Sequence, residues 1–327
     1  MKCLSISLAA ALSLIVSAAE PAGTSRVKVL NYDNCIALSN ASTRVVLGHQ
    51  RGGRVLIYEF QGQNALYLDP EEGEWTPGSP GRFPISAGRF DIGPEKIIPR
   101  RTELWEGPWN AEIVGPRHAR LTSVEHASTG TQLVREFKLA DSGSHLSCTQ
   151  IIRNISKKTT EWCHWSRTFA RGQGICIIPL SAPSRFPKNY VMYEPGNLIN
   201  IAPSDPNIRT RDGFLEILGT PKYPKLGMDS YMGWFGYQMR NNVLFLKKYA
   251  TFPDRVYNEA AGLTISIWYP DGPMCELEPI GPRQRLAPGE AASFTEHWWL
   301  LPHEYPKEGT NLDLKEVKEL AERQFQQ

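Results

Sequence analysis

From Val27 onward the chain, which has 27 glycines and 25 prolines in all, is cut by them into short runs of Val, Ile, Leu and aromatic residues. A helix of ordinary length cannot survive such punctuation, whereas a strand of five or six residues fits between the breaks. The runs RVLIYEF (Arg54 to Phe60), ARLTSVEH (Ala119 to His126), QLVREFKLA (Gln132 to Ala140), HLSCTQIIRN (His145 to Asn154) and NVLFLKKYA (Asn242 to Ala250) carry this rhythm. Several alternate polar and apolar side chains, as strands with one buried face do. About fifteen or more such strands in one chain predict an all-β protein, a large antiparallel sandwich.

Two stretches break the rhythm. Residues 69–98 are rich in Gly, Pro and Glu, and residues 181–224 form a proline-punctuated segment with few strand runs. Both are expected to be loops that cap a site. The one helix expected is NLDLKEVKELAERQF near the end of the chain, where Leu312, Val317, Leu320 and Phe325 make one apolar stripe and Asp313 sits near the positive end of the helix dipole. Its predicted role is packing. No fixed-period repeat and no Gly-rich phosphate loop is present, which argues against nucleotide binding.

The N-terminal MKCLSISLAAALSLIVSAAE joins a positive Lys2 to an apolar run ending in small residues. That run is shorter than the roughly 20 residues of a spanning helix, so it reads as a signal peptide (1–19) cleaved to leave a single domain over 20–327. A secreted or periplasmic protein without a membrane anchor is expected. The 36 basic and 34 acidic residues are well mixed, for a net charge of +2, so no surface for nucleic acid is implied. Past the signal peptide five cysteines remain, Cys35, Cys148, Cys163, Cys176 and Cys275, an odd number without zinc-type spacing. Buried thiols are expected, with one disulfide left open, and no metal or cofactor is called for.

Candidate site residues lie in five places. Gly52 and Gly53 make a tight turn into the Arg54 strand. Arg89, Asp91 and Glu95 sit among glycines in ISAGRFDIGPEK, followed by Trp105 and Trp109, whose indoles suit the C–H face of a sugar ring. In TEWCHWSRTF, strand alternation puts Trp162, His164, Ser166 and Thr168 on one side and Cys163, Trp165 and Arg167 on the other. KLGMDSYMGWFGYQMRNNVLFLKKYA contributes Asp229, Trp234, Tyr237 and the Lys247/Lys248 pair. In PMCELEPIGP, Glu276 and Glu278 share one face of a strand ending at Pro279, and two ionised glutamates cannot both sit unpaired in an apolar core.

The last stretch, with LAPGEAASFTEHWWL after it, resembles the C-terminal part of galactose mutarotases (aldose 1-epimerases), in which a glutamate precedes a PGE turn and a final aromatic strand. GGRVLIYEFQGQNALY, GRFDIGPE, the tract from Asn154 to Thr168, GWFGY with LFLKKYA, and ELEPIGPRQRLAPGE occur in the order of a family of secreted bacterial proteins of unknown function with a mutarotase-like fold. The resemblance implies a galactose mutarotase-like β-supersandwich with a short C-terminal helix and a sugar site on the concave face of its central sheet. It further implies Glu278 as general base and His164 as general acid, without metal or cofactor. Arg89, Glu95, Trp109, Trp165, Trp234, Lys247 and Glu276 are the expected substrate contacts. The sequence lacks the mutarotase histidine beside an Asn-Arg pair, its nearest analogue being GRFD with Arg89. The expected function is therefore an exported carbohydrate-binding protein that processes a sugar at its anomeric carbon. The alternatives are a true aldose 1-epimerase and an enzyme that cleaves polysaccharide.

Overall fold

The computed structural model describes residues 20–76 and 85–326; the expected signal peptide lies outside them. Two antiparallel sheets, one of thirteen strands and one of ten, pack face to face. The predicted all-β class and the C-terminal helix are both found. In the larger sheet the long strand Thr160–Arg171 runs centrally, between Gly88–Gly93 on one side and Met274–Pro279 on the other. The order then continues through Ile265–Trp268, Lys225–Met228 and Val191–Glu194.

Strand alternation sorts these residues onto two faces. The inner face carries Phe90, Ile92, Ala170, Leu226, Met228, Ile265, Ile267, Cys275 and Leu277 into the core shared with the smaller sheet. Burying this many large apolar side chains, at about 25 cal/mol per Å², holds the sheets together. The outer face holds Arg89, Asp91, Trp165, Arg167, Phe169, Glu276 and Glu278, offset by one residue from the core positions.

Two apolar clusters, in which loop residues pack on strand residues, cover the ends of that outer face. At one end, Tyr32, Cys35, Val46, Leu56 and Ala87 pack with Leu68 and Trp75, so the Gly/Pro-rich segment after residue 65 folds back over the sheet. Glu72 pins it. Its carboxylate accepts from Arg54 Nη2 (2.9 Å) and Ser86 Oγ (2.6 Å) and contacts Tyr32 as well, all of them buried. Burial alone would raise its pKa, but Arg54 outweighs it and brings it down to about 2. At the other end, Cys163, Trp165 and Val191 pack under Phe186, Leu263 and Ile280.

The segment 181–224 differs from the expected loop. It holds four short strands, Val191–Glu194, Leu198–Asn200, Ile208–Arg211 and Phe214–Ile217, each too short and too often interrupted to show a period in the sequence. They extend one edge of each sheet through cross-strand pairing. The C-terminal helix, Leu314–Phe325, is capped by Asp313, which accepts from the backbone N–H of Lys315 and Glu316 at 3.0 Å each. It packs Val317 and Ala321 against the smaller sheet. The five cysteines of the described chain are buried and unbridged.

Candidate functional site

Between the two loop clusters the outer face of the larger sheet is left open as a cleft of about 520 Å³, within the size range of small-molecule sites. Its floor is a single register row. Phe169 lies opposite Glu276, Glu276 opposite Trp268, and Trp268 opposite Lys225 across four neighbouring strands, and all four line the cleft. Arg167, two residues before Phe169, lines it from the next row, and Glu95, Trp105 and Ile85 come from the loops above. Trp105 arrives on the short helix Thr102–Glu106, where it is half-buried, as is Trp268. A larger crevice of about 730 Å³ lies between the 302–313 segment and the C-terminal helix. It gathers none of the strand-borne candidate residues.

The charges in the cleft are paired. Arg167 donates to both oxygens of Glu276, at 2.7 and 3.4 Å, and lies 3.8 Å from Asp91, which Arg101 also holds. The guanidinium is 18% exposed and the carboxylate 1%. Burial would lower the Arg167 pKa, but Glu276 and then Glu278 outweigh it and raise it, so the arginine stays charged. Lys225 forms an ion pair with Glu95, whose backbone N–H donates to Glu259 at 2.8 Å. Burial would push Glu95 up, yet Lys225 brings it below the ordinary carboxylate range. Trp165 is fully buried beside these groups, with the Arg167 guanidinium 5.2 Å and the Lys225 ammonium 5.1 Å from its ring centre.

Glu278 stands two residues along from Glu276 on the same face; both are buried, but Glu278 lies off the cleft lining, opposite Ser266. The Trp165 indole N–H donates to its Oε2, while Oε1 has no partner among the described residues. Burial, and next the neighbouring Glu276 charge, raise its pKa well above the ordinary range in spite of Arg167 and Lys225. Glu278 therefore holds its proton where an ordinary glutamate would be ionised.

His164 is not near this cleft. It lies on the inner face, sealed between Phe90 and Phe294 at ring separations of 5.8 and 5.7 Å, with Nε2–H donating to the Ala292 carbonyl at 3.1 Å. Burial drops its pKa to about 4, so it is neutral and inaccessible. The expectation that it faces Glu278 as a general acid fails on strand parity: one is on an even position of a strand whose odd positions face the cleft. Lys247 is likewise an interior group. It pairs with Glu296 at 3.0 Å, both fully buried between the sheets, and donates to Thr168 Oγ1 (2.8 Å) and Leu277 O (3.2 Å).

Trp234 packs against Phe214 and Phe325 under the C-terminal helix, on the far side of the smaller sheet. Trp109 is buried against Gly53, where any side chain would run into its ring, and donates its indole N–H to Leu104 O at 3.0 Å. These two indoles fill core. Arg89 shares the outer face but is stacked under Trp105, 4.7 Å from its ring, and donates to Trp105 O at 2.9 Å, so it supports the cleft wall without lining it. Of the expected contacts, Glu95 and Glu276 line the cleft and Trp165 lies just behind it.

Arg167, Lys225, Phe169 and Trp268 are not among the expected substrate contacts. Arg167 and Phe169 were readable, since they alternate with Trp165 on one strand. Lys225 and Trp268 were not, because only cross-strand register puts them beside Glu276.

No protein-family model and no curated protein matches the chain. Solved structures do. The Slr1438 protein of Synechocystis sp. PCC 6803 is 14% identical with a TM-score of 0.58, covering 89% of this chain and all of its own. A galactose mutarotase-like protein from Lactobacillus casei is 11% identical with a TM-score of 0.57, covering 82% of this chain and all of its own. Another from Clostridium acetobutylicum is 11% identical with a TM-score of 0.53, covering 85% of this chain and 98% of its own. At such identities the likeness is one of fold, and the fold is the expected galactose mutarotase-like β-supersandwich.

Proposed function

We propose that this is an exported carbohydrate-binding protein whose ligand, a mono- or oligosaccharide, lies in the outer-face cleft. The observation that carries the reading is the cleft's lining: the Trp105 and Trp268 indoles, with the Arg167–Glu276 and Lys225–Glu95 pairs between them. Indole faces meet the C–H faces of a sugar ring, and fixed carboxylates and cations hydrogen-bond its hydroxyls. The ion pairs balance one another, two cations against two carboxylates, which favours a neutral sugar over an anionic one. The mutarotase-like fold of the solved neighbours supports the same ligand class.

A second reading, reaction at the anomeric carbon, is favoured by Glu276, a carboxylate fixed on the cleft floor where it can take a hydroxyl proton. Titration calorimetry with D-galactose, D-glucose and a set of oligosaccharides tests binding. Saturable binding that Trp268→Ala weakens about tenfold supports the proposal, and no heat with any of them defeats it. Export rests on the N-terminal sequence, and N-terminal sequencing of the protein recovered outside the cytoplasm is expected to begin at Glu20.

A further inference from the structure

The chain passes from the larger sheet to the smaller by a short corner: Thr160–Arg171 ends in one and Ile175–Pro179 begins in the other. Hydrogen bonds fix that corner. The Gly172 N–H donates to Pro273 O at 2.7 Å, so closely that a side chain on Gly172 would run into the Gly272 carbonyl. The Tyr237 hydroxyl donates to Arg171 O at 2.8 Å and accepts from the Gly174 N–H at 2.9 Å, and the Tyr269 hydroxyl donates to Gly174 O at 2.7 Å. Just past the corner Cys176, in the smaller sheet, meets Cys275, in the larger. Their sulfurs are 3.8 Å apart and both side chains are fully buried. Cys275 lies opposite Ala170 and is followed by Glu276 of the cleft floor.

Thiols at this separation are about 1.8 Å short of a sulfur–sulfur bond, a gap that small side-chain rotations close. The other three thiols are elsewhere. Cys35 and Cys163 belong to the apolar clusters at the two ends of the outer face, and Cys148 lies on Leu146–Asn154, with three strands of the smaller sheet between it and the Cys176 strand.

We propose that Cys176 and Cys275 are a modification site, joined by a disulfide in the exported protein, which clamps the two sheets together behind the cleft floor. The proposal rests on the export reading for its oxidising surroundings. The oxidant is itself a disulfide, oxidised glutathione or a thiol–disulfide oxidoreductase. One cysteine attacks it as the thiolate, and the second displaces the resulting mixed disulfide. Two S–H bonds break and one S–S bond forms, while the two electrons and two protons leave with the oxidant as two thiols. Burial pushes the Cys275 thiol well above the usual thiol range, so the finished core offers no reactive thiolate and the bond forms while the chain is folding.

Peptide mass mapping tests the pairing. The protein is reduced and unfolded, refolded in mixed reduced and oxidised glutathione, and blocked with iodoacetamide in urea. Two fewer blocked thiols than in a reduced control, and a linked peptide joining Cys176 to Cys275, are expected. No lost thiol, or a bond to Cys35, Cys148 or Cys163 instead, overturns the site. The buffer supplies the oxidant, so this outcome does not depend on export. Protein recovered outside the cytoplasm should carry the same bond; free thiols there overturn the proposal even where N-terminal sequencing upholds export. The bonded form should melt about 5 °C or more above the reduced form, because the bond closes a loop of about 100 residues. Cys176→Ala and Cys275→Ala should erase that difference, and Cys163→Ala, equally buried, should keep it. Equal melting of bonded and reduced wild-type protein overturns the clamp.

Discussion

Two ion pairs of nearly the same chemistry sit a strand's thickness apart. Lys247–Glu296 lies between the sheets with neither side chain exposed; Arg167–Glu276 lies on the outer face with its guanidinium 18% exposed. One strand, Thr160–Arg171, serves both. Its Ser166 and Thr168 hydroxyls face Lys247, and its Arg167 and Phe169 face the cleft. The interior pair is closed on every side, Glu296 by Trp298 Nε1 at 2.9 Å and by Gln150, and the Lys247 ammonium rests 4.6 Å from the Trp298 ring. The cleft pair is left an open side. Charge in a fold marks function only where the packing leaves it something further to bind.

The largest effect should come from the closed pair. Lys247→Ala strands a buried carboxylate and is expected to cost about 3–5 kcal/mol of stability by denaturant unfolding. The double variant Lys247→Met with Glu296→Gln, whose amide oxygen still accepts from Trp298 and whose NH2 can donate to the Gln150 amide oxygen once that amide flips, should recover most of it. If Lys247→Ala is no worse than Arg167→Ala in the same assay, the division into a structural and a functional pair fails. Next, Trp268→Ala should weaken sugar binding about tenfold by calorimetry, while Trp234→Ala, which opens a core cavity, should cost about 3–5 kcal/mol of stability and leave the affinity of the remaining folded protein unchanged.

The two faces also predict opposite pH behaviour. His164, with its pKa lowered to about 4 from 6.5, binds fewer protons folded than unfolded. Its contribution to stability is present above pH 6.5 and lost as pH falls towards 4. Glu278, with its pKa raised above 4.5, binds more protons folded. Its contribution is present below pH 4.5 and lost as pH rises through the raised value. Glu278→Gln should therefore raise the melting temperature at neutral pH, by about 2–4 °C for each kcal/mol relieved, and flatten its decline on the alkaline side. His164→Gln should flatten the acid side alone. The smallest effect is expected from Glu95→Gln, which loosens Lys225 at the half-exposed rim and should change stability by less than about 1 kcal/mol.

Much of this was legible along the chain. Gly/Pro spacing and alternation gave the all-β class, the apolar stripe gave the C-terminal helix, and parity on TEWCHWSRTF separated His164, Ser166 and Thr168 from Trp165 and Arg167 as the structure has them. Parity does not say which side is core. The resemblance puts His164 in the cleft as general acid, and the structure seals it against Phe294 because even positions face the smaller sheet. Trp234 and Trp109 misled for a related reason, since an indole in a Gly/Pro-rich stretch looks the same whether it meets a ligand or a neighbouring strand.

The sequence by itself determined the strand-rich class, the two alternating faces of the longer strands and the placing of Glu276 with Glu278 on one side of their strand, because these follow from a period of two and a proline stop. Only the tertiary structure decided which face opens, which carboxylate reaches the opening, and that Lys225 and Trp268 stand beside it. Those facts depend on strand register and on loops closing over both ends of the outer face, contacts between residues far apart in the chain that no local pattern encodes.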